Sequence, residues 1–448
     1  MRVVHILGFI VCMAGLCLPA AAAAPPASPT ALGRSMMSLD GPWKFHTGDD
    51  PHWADPGFDD SSWEGMDLSA PPDANDGDVG IGPYTSGWNS KGHPAYQGYA
   101  WYRIHVAVTP PAGETLALLG PWAVDSVYQA YGNGMLLGGV GDFSGMTPTA
   151  YGYHYPRLFT LPPGVASGGK LVVAIRVWAG PWMAADPQGG GIHVAPVIGT
   201  QDAIGAQYKM QWLKIFEGYA VDVVPALLFF LMAAMVLCLW PLDHADRTYL
   251  WLAAGLVLSG IQRGNQAFFF WCQIETIQDF VIIIAAVVAS LSLGAWMMAW
   301  RGWFKLDRPT WLPKAIAGLT SILMLALLLS RPWLLHAAYP HPVVATLHYL
   351  VLWARLAFLL VFALIVCQGV RSRGREGWYA LPATLAIGAV LFSAELSALH
   401  VPGIWFPYGV GVSLSEYMSV VFDVLLSVLL LRRLWSHARS PTNPEISA

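Results

Sequence analysis

Seven ionisable residues stand inside long apolar runs of this chain: Asp222, Arg263, His348, Arg355, Glu395, Glu416 and Asp423. A charge at the centre of a bilayer costs roughly 2.5–3.5 kcal/mol on the mildest scale, so such groups turn into a helix bundle and pair. The signs permit Arg263 with Glu395, and Arg355 with Asp423 or Glu416. Three roles are open to them: a bridge that only holds helices together, a signalling switch or polar pocket, and a proton relay. No single run carries the ladder of acids that a relay would use.

A second group precedes the apolar runs: Trp88, Asn89, His93, Tyr96, Tyr99, Trp122, Trp178 and Trp182. Aromatic faces stack on the apolar C–H faces of a sugar, and nearby polar groups orient its hydroxyls. The Gly- and Pro-bounded stretch 87–94 is the most loop-like of these candidates. The competing role is core packing, or packing of the domain on a membrane. Trp43, Trp63, Trp101 and Tyr102 read as core. His46, His52, His93, His105, His154 and His193 have no metal-ligand spacing, so neither metal nor cofactor is expected.

The elements that must position these residues follow from composition. The chain has 448 residues, 55% of them hydrophobic and 12% charged. A soluble protein carries about 25% charged residues, so membrane residence is expected. A net charge of −4 offers nothing to nucleic acid. Candidate spans of about 20 residues fall at 219–240, 249–271, 277–300, 313–331, 343–368, 378–399 and 408–431. Together they make an expected all-α seven-helix bundle over 219–431. Lys and Arg gather in alternate loops: Arg247; Arg301, Lys305, Arg308 and Lys314; Arg371, Arg373 and Arg375; Arg432, Arg433 and Arg439. The loops of the other side offer only Arg331. By the positive-inside rule the basic loops and the tail 432–448 are cytoplasmic and residues 39–200 extracytoplasmic.

The N-terminus agrees. Arg2, the apolar stretch 3–18 and the small-residue zone 19–24 read as a signal peptide over 1–24, followed by a Pro/Ala-rich linker over 25–38. The expected location is a bacterial inner membrane, with the exported domain periplasmic. Of five cysteines, Cys12 and Cys17 lie in the signal and Cys238, Cys272 and Cys367 in or beside spans. The exported domain must therefore hold itself by core packing rather than disulfides.

That domain reads as β-rich. Strand-like runs occur at 101–108, 115–119, 126–131 and 171–178, separated by Gly, Pro, Asn and Asp. Asn133-Gly134 has the chemistry of a tight hairpin turn. Residues 201–218 form a connector that is either an interfacial helix and lever or a passive linker. Four segments carry a resemblance: Leu39-Asp40-Gly41-Pro42-Trp43-Lys44-Phe45, Phe58-Asp59-Asp60-Ser61-Ser62-Trp63, Gly98-Tyr99-Ala100-Trp101-Tyr102-Arg103, and Val124-Asp125-Ser126 leading to Tyr131-Gly132-Asn133-Gly134. In that order they resemble the galactose-binding-like jelly-roll domain of family 2 glycoside hydrolases. The resemblance implies a β-sandwich that binds carbohydrate or another small ligand. Glycoside hydrolysis needs two carboxylates across the scissile bond. In that family they sit on a separate barrel, so Asp59-Asp60 reads as a turn and no enzyme is expected.

A β-sandwich followed by seven spans also resembles the bacterial seven-transmembrane receptors with diverse intracellular signalling modules. Those receptors carry an output module after the last helix, and none fits into 432–448. The expectation is a sensor that signals through a separate cytoplasmic protein. The alternatives are a non-signalling anchor or assembly protein on envelope polysaccharide, then a transporter.

Overall fold

The computed structural model describes residues 36–71, 84–108, 114–151, 155–166, 168–183, 186–272, 274–335, 341–401, 403–404 and 413–439. The signal and most of the lead, the end of the tail, His154 and the start of the last candidate span lie outside the described residues.

The N-terminal part is sheet-rich. Central strands rich in aromatic and β-branched residues lie in a six-stranded sheet of order β3-β2-β4-β10-β7-β8. Its strands are β2 (Trp43–Thr47), β3 (Glu64–Met66), β4 (Gly98–Ala107), β7 (Val127–Gly132), β8 (Met135–Val140) and β10 (Lys170–Ala179). β1 (Met36–Ser38), β12 (Val197–Thr200), β5 (Leu116–Leu119) and β9 (Leu158–Thr160) form a four-stranded sheet in that order. β6 (Val124–Asp125) and β11 (Gly191–Ile192) pair separately. One core joins the two larger sheets: Trp43, Phe45, Tyr102, Val173, Ile175 and Val177 from the first, Leu118, Phe159 and Ile198 from the second. The β7–β8 hairpin turns at Asn133 and Gly134, with φ of 45° and 84°, as the Asn-Gly pair predicts. Asp60 is a buried partner rather than a free turn acid: Arg103 Nε donates to Oδ2 at 2.8 Å.

The C-terminal part is helical: α1 (Gln201–Leu239), α2 (Thr248–Cys272), α3 (Ile277–Trp303), α4 (Leu312–Leu329), α5 (His341–Arg373), α6 (Arg375–Leu391), α7 (Ser393–Ala398) and α8 (Leu414–Arg439). A π-helical stretch, Val281–Val288, lies within α3. Among the described residues five helices are long and apolar enough to cross a membrane by length and composition: α1, α3, α4, α5 and α8. The connector 201–218 is continuous with the first long helix. Its Ile204 is fully buried against Ala117 and Leu119 of β5. That contact clamps the start of α1 to the small sheet.

Candidate functional site

The eight aromatic and polar candidates do not converge. Trp88 is fully buried, its indole N–H donating to the Tyr96 carbonyl at 3.2 Å. Phe45 and Tyr102 pack around it, with ring centroids 5.8 and 6.5 Å away. It therefore has no free face for a sugar, contrary to the expectation from sequence. Gly190 and Gly191 make this possible, because a Cβ on either would run into the indole at 2.3 and 2.7 Å. Asn89 is buried beside it and donates to the carbonyls of Met183 and Asp186. His93 pairs with Glu64 at 2.6 Å, and the Tyr96 hydroxyl donates to the Tyr99 carbonyl. These four residues hold a corner of the fold.

Tyr99 belongs to a different group, on the outer face of the six-stranded sheet. Period-2 alternation places Tyr99 and Trp101 of β4, Gln129 and Tyr131 of β7, and Arg176 and Trp178 of β10 on that face. Arg176 donates to Asp49 through Nε at 2.7 Å and Nη2 at 2.5 Å, and to Gln129 Oε1 at 2.9 Å. Its guanidinium lies over the Tyr99 ring, 4.2 Å from the centroid, with Phe143 beyond at 5.7 Å. Partial burial opposes ionisation of Asp49. Hydrogen bonds from Arg176 and Trp101, and the Arg176 charge, still hold its carboxyl below the usual range. Three guanidinium N–H groups are thus engaged of the five that Arg carries. A half-buried Arg–Asp pair among aromatic rings, with donors to spare, can hydrogen-bond vicinal hydroxyls. Arg176 was not among the sequence candidates, although an Arg inside the apolar run 171–178 is a signal.

A second buried charge lies near this face. His193 presents Nδ1 to the Thr85 carbonyl at 2.8 Å and Nε2 to Asp125 Oδ2 at 2.7 Å. Both partners accept, so both ring nitrogens carry protons. Burial disfavours that charge, yet the Asp125 carboxylate and the hydrogen bonds raise the His193 pKa above its ordinary value. Tyr84 stacks on the ring at 4.5 Å.

Trp122, Trp178 and Trp182 join the sheet part to the helices. Trp122 and Trp178 share one cluster with Ile215 and Tyr219 of α1, Phe269 and Phe270 of α2, and Ile277 of α3. Trp182 packs edge-on against Trp178 at 5.7 Å and against Trp333, in the turn after α4, at 5.3 Å. Two hydrogen bonds cross the same seam. The Tyr155 hydroxyl donates to the Phe269 carbonyl at 2.5 Å, and the Ile277 amide donates to the Ala150 carbonyl at 3.0 Å. These three tryptophans are therefore contacts between the two parts.

The intramembrane candidates pair differently from the expectation. Arg263 Nη1 meets Glu416 Oε1 at 2.6 Å and Asp222 Oδ1 at 3.2 Å, joining α2 to α8 and α1. Arg355 meets Glu395 through Nε at 2.5 Å and Nη2 at 2.7 Å. Arg263 with Glu395, and Arg355 with Asp423 or Glu416, are thus both incorrect. Charge sign alone cannot rank partners whose meeting depends on helix rotation and depth. Asp222 lies one helical turn from Tyr219, so the Arg263 cluster sits directly beside the aromatic seam. Asp423 is 5% exposed, and neither carboxylate oxygen has a hydrogen-bond partner among the described residues. Among those residues no cluster of His, Cys, Asp and Glu has metal-binding proximity.

No protein-family model and no curated protein matches the chain. Among solved structures, a β-glucuronidase of Bacteroides uniformis is similar at 22% identity and a TM-score of 0.27, over 37% of this chain and 18% of its own. A glycosyl hydrolase family 2 member from Bacteroides cellulosilyticus is similar at 19% identity and 0.26, over 37% and 20%. A β-glycosidase from Bacteroides vulgatus follows at 17% identity and 0.24, over the same shares. The similar region spans about a fifth of those enzymes.

Proposed function

We propose that this protein is a membrane receptor. An extracytoplasmic, jelly-roll, galactose-binding-like domain binds a carbohydrate or other small ligand. A bundle of seven spans, with α2 and the α6–α7 pair crossing beside the five helices that are long and apolar enough by themselves, passes the change to a cytoplasmic partner. The observation that carries the proposal is the hydrogen-bonded aromatic seam between the sheet part and α1, α2 and α3. An anchor needs only a tether. A receptor needs its outer domain packed on elements that have somewhere to move, and the Asp222–Arg263–Glu416 cluster lies beside that packing. A ligand acts only by binding two states with different affinity. The face around Arg176 shares strand β10 with Trp178 of the seam, which supports a short route from the one to the other.

The test is a glycan array probed with the detergent-solubilised full chain. The expected result is selective binding that Arg176→Gln weakens by about tenfold, as loss of one charge-assisted hydrogen bond implies. Binding unchanged in Arg176→Gln would move the site off this face. No binding to any glycan would remove carbohydrate as the ligand class.

A further inference from the structure

We propose that the cleft between the α3–α4 loop and the last turns of α5 is a binding site for the headgroup and upper acyl chain of an anionic phospholipid. The cleft is an open surface groove of about 910 Å³, walled by Arg308, Thr310 and Trp311 on one side and Leu364, Gln368 and Arg371 on the other.

Its two arginines are exposed, and neither has an ion-pair or hydrogen-bond partner among the described residues. The two segments that carry them are tied together. Arg373 Nε donates to the Phe304 carbonyl at 2.8 Å, tying the α3–α4 loop to the end of α5. Phe304 packs on Gly369, where a Cβ would stand 2.3 Å from the ring.

The polarity of the α5 wall is graded. Leu364, Gln368 and Arg371 are spaced four and three residues apart and so share one helical face. The face runs from an exposed leucine to a guanidinium over about 10 Å at 1.5 Å per residue. Trp311, 56% exposed, supplies the opposite apolar and amphipathic wall, the chemistry of a membrane-interface residue. An aliphatic chain against Leu364 and Trp311, a glycerol near Gln368, and a phosphodiester between Arg308 and Arg371 would meet each wall with its own kind. A free anion would use only the upper half. A zwitterionic lipid would bring its own cation to two unpaired arginines. Basic pockets at the membrane edge of helical bundles are suited to acidic headgroups on general electrostatic grounds.

The experiment is native mass spectrometry of the full chain in neutral detergent, titrated with phosphatidylglycerol, phosphatidylcholine, glycerol 3-phosphate and a polyglutamate peptide. The expected result is retention of phosphatidylglycerol alone. The Arg308→Gln/Arg371→Gln double variant should bind it about thirtyfold more weakly, from the usual contribution of two basic residues at a membrane surface. Arg375→Gln, an exposed arginine outside the cleft, should bind as wild type does. The charge-conserving Arg308→Lys/Arg371→Lys variant should recover most of the retention, which separates lost charge from a damaged fold. Equal retention of both lipids, or full retention by the double Gln variant, would overturn the proposal. Comparable binding of glycerol 3-phosphate would reassign the cleft to a soluble phosphate, and preference for polyglutamate would reassign it to an acidic protein surface.

Discussion

Glu395→Gln should be among the most damaging single substitutions in the helical part that leave side-chain volume unchanged. Arg355 makes two hydrogen bonds to Glu395, at 2.5 and 2.7 Å, and a third to the Leu391 carbonyl at 3.2 Å. The side chains are 22% and 13% exposed. Removing one partner of a buried pair costs roughly 3–5 kcal/mol, because the other charge is left behind. Partial access of the guanidinium puts this pair at about 3 kcal/mol, the low end of that range. Removing both charges leaves no such orphan, so Glu395→Gln with Arg355→Met should fall within about 1 kcal/mol of wild type. Asp222→Asn is the contrasting case. Arg263 keeps Glu416 at 2.6 Å and Ser415 at 3.1 Å, so the loss should be about 1 kcal/mol, the scale of one hydrogen bond. The assay is denaturant unfolding of the full chain in detergent across the double-mutant cycle. A coupling energy between positions 355 and 395 below about 0.5 kcal/mol, the level of independent sites, would refute the pairing.

The buried imidazolium predicts a pH dependence. The folded pKa of His193 is raised, so its stabilisation is complete below the ordinary imidazole value near 6.5 and is lost as pH rises through the higher folded value. The melting temperature of the full chain should therefore decline across that window, and His193→Gln should flatten the decline; a wild-type curve with no slope there would remove the charge. Trp88→Ala should act on folding and not on ligand binding: emptying a fully buried indole site costs about 3–5 kcal/mol, and a well-folded variant by circular dichroism and melting would contradict the placement. Breaking the seam with Trp182→Ala should speed proteolysis at the junction near residue 200 while the sheet core stays protected, because Trp182 contacts Trp178 and Trp333 across it; unchanged cleavage would mean that this contact does not hold the two parts together.

What the sequence made legible was local. The strand-like apolar run 171–178 and the Asn133-Gly134 pair fix β10 and the β7–β8 hairpin, because each depends on neighbours in the chain. The apolar runs locate the apolar stretches of the long helices for the same reason, although α1 begins at Gln201, well before the run that starts at 219. The site was not legible, because its contacts cross the chain. The loop-like Gly, Asn, Ser and Lys around Trp88 leave ligand contact and core packing both open, and Gly190 and Gly191, about 100 residues later, close over it. Arg263 finds Glu416 across 153 positions, a match set by helix rotation that no count of charges contains. Arg176 was visible as an isolated charge in a strand, but its partner Asp49 stands 127 positions away. Tyr155 and Ala150 carry no signal at all, since one acts through a hydroxyl and the other through its backbone carbonyl.

Reception through the seam is tested most directly by hydrogen exchange of the full chain with and without the glycan selected on the array. Binding at the Arg176 face should change protection both within β4 and β10 and across the seam, at 266–272 and 277–281. In a Tyr155→Phe/Trp182→Ala variant the glycan should still bind while the change beyond the seam disappears, because the hydrogen bond to Phe269 and the contact with Trp333 are gone. Protection that changes only within residues 36–200, identically in wild type and variant, would contradict a receptor and leave a domain that binds without reporting.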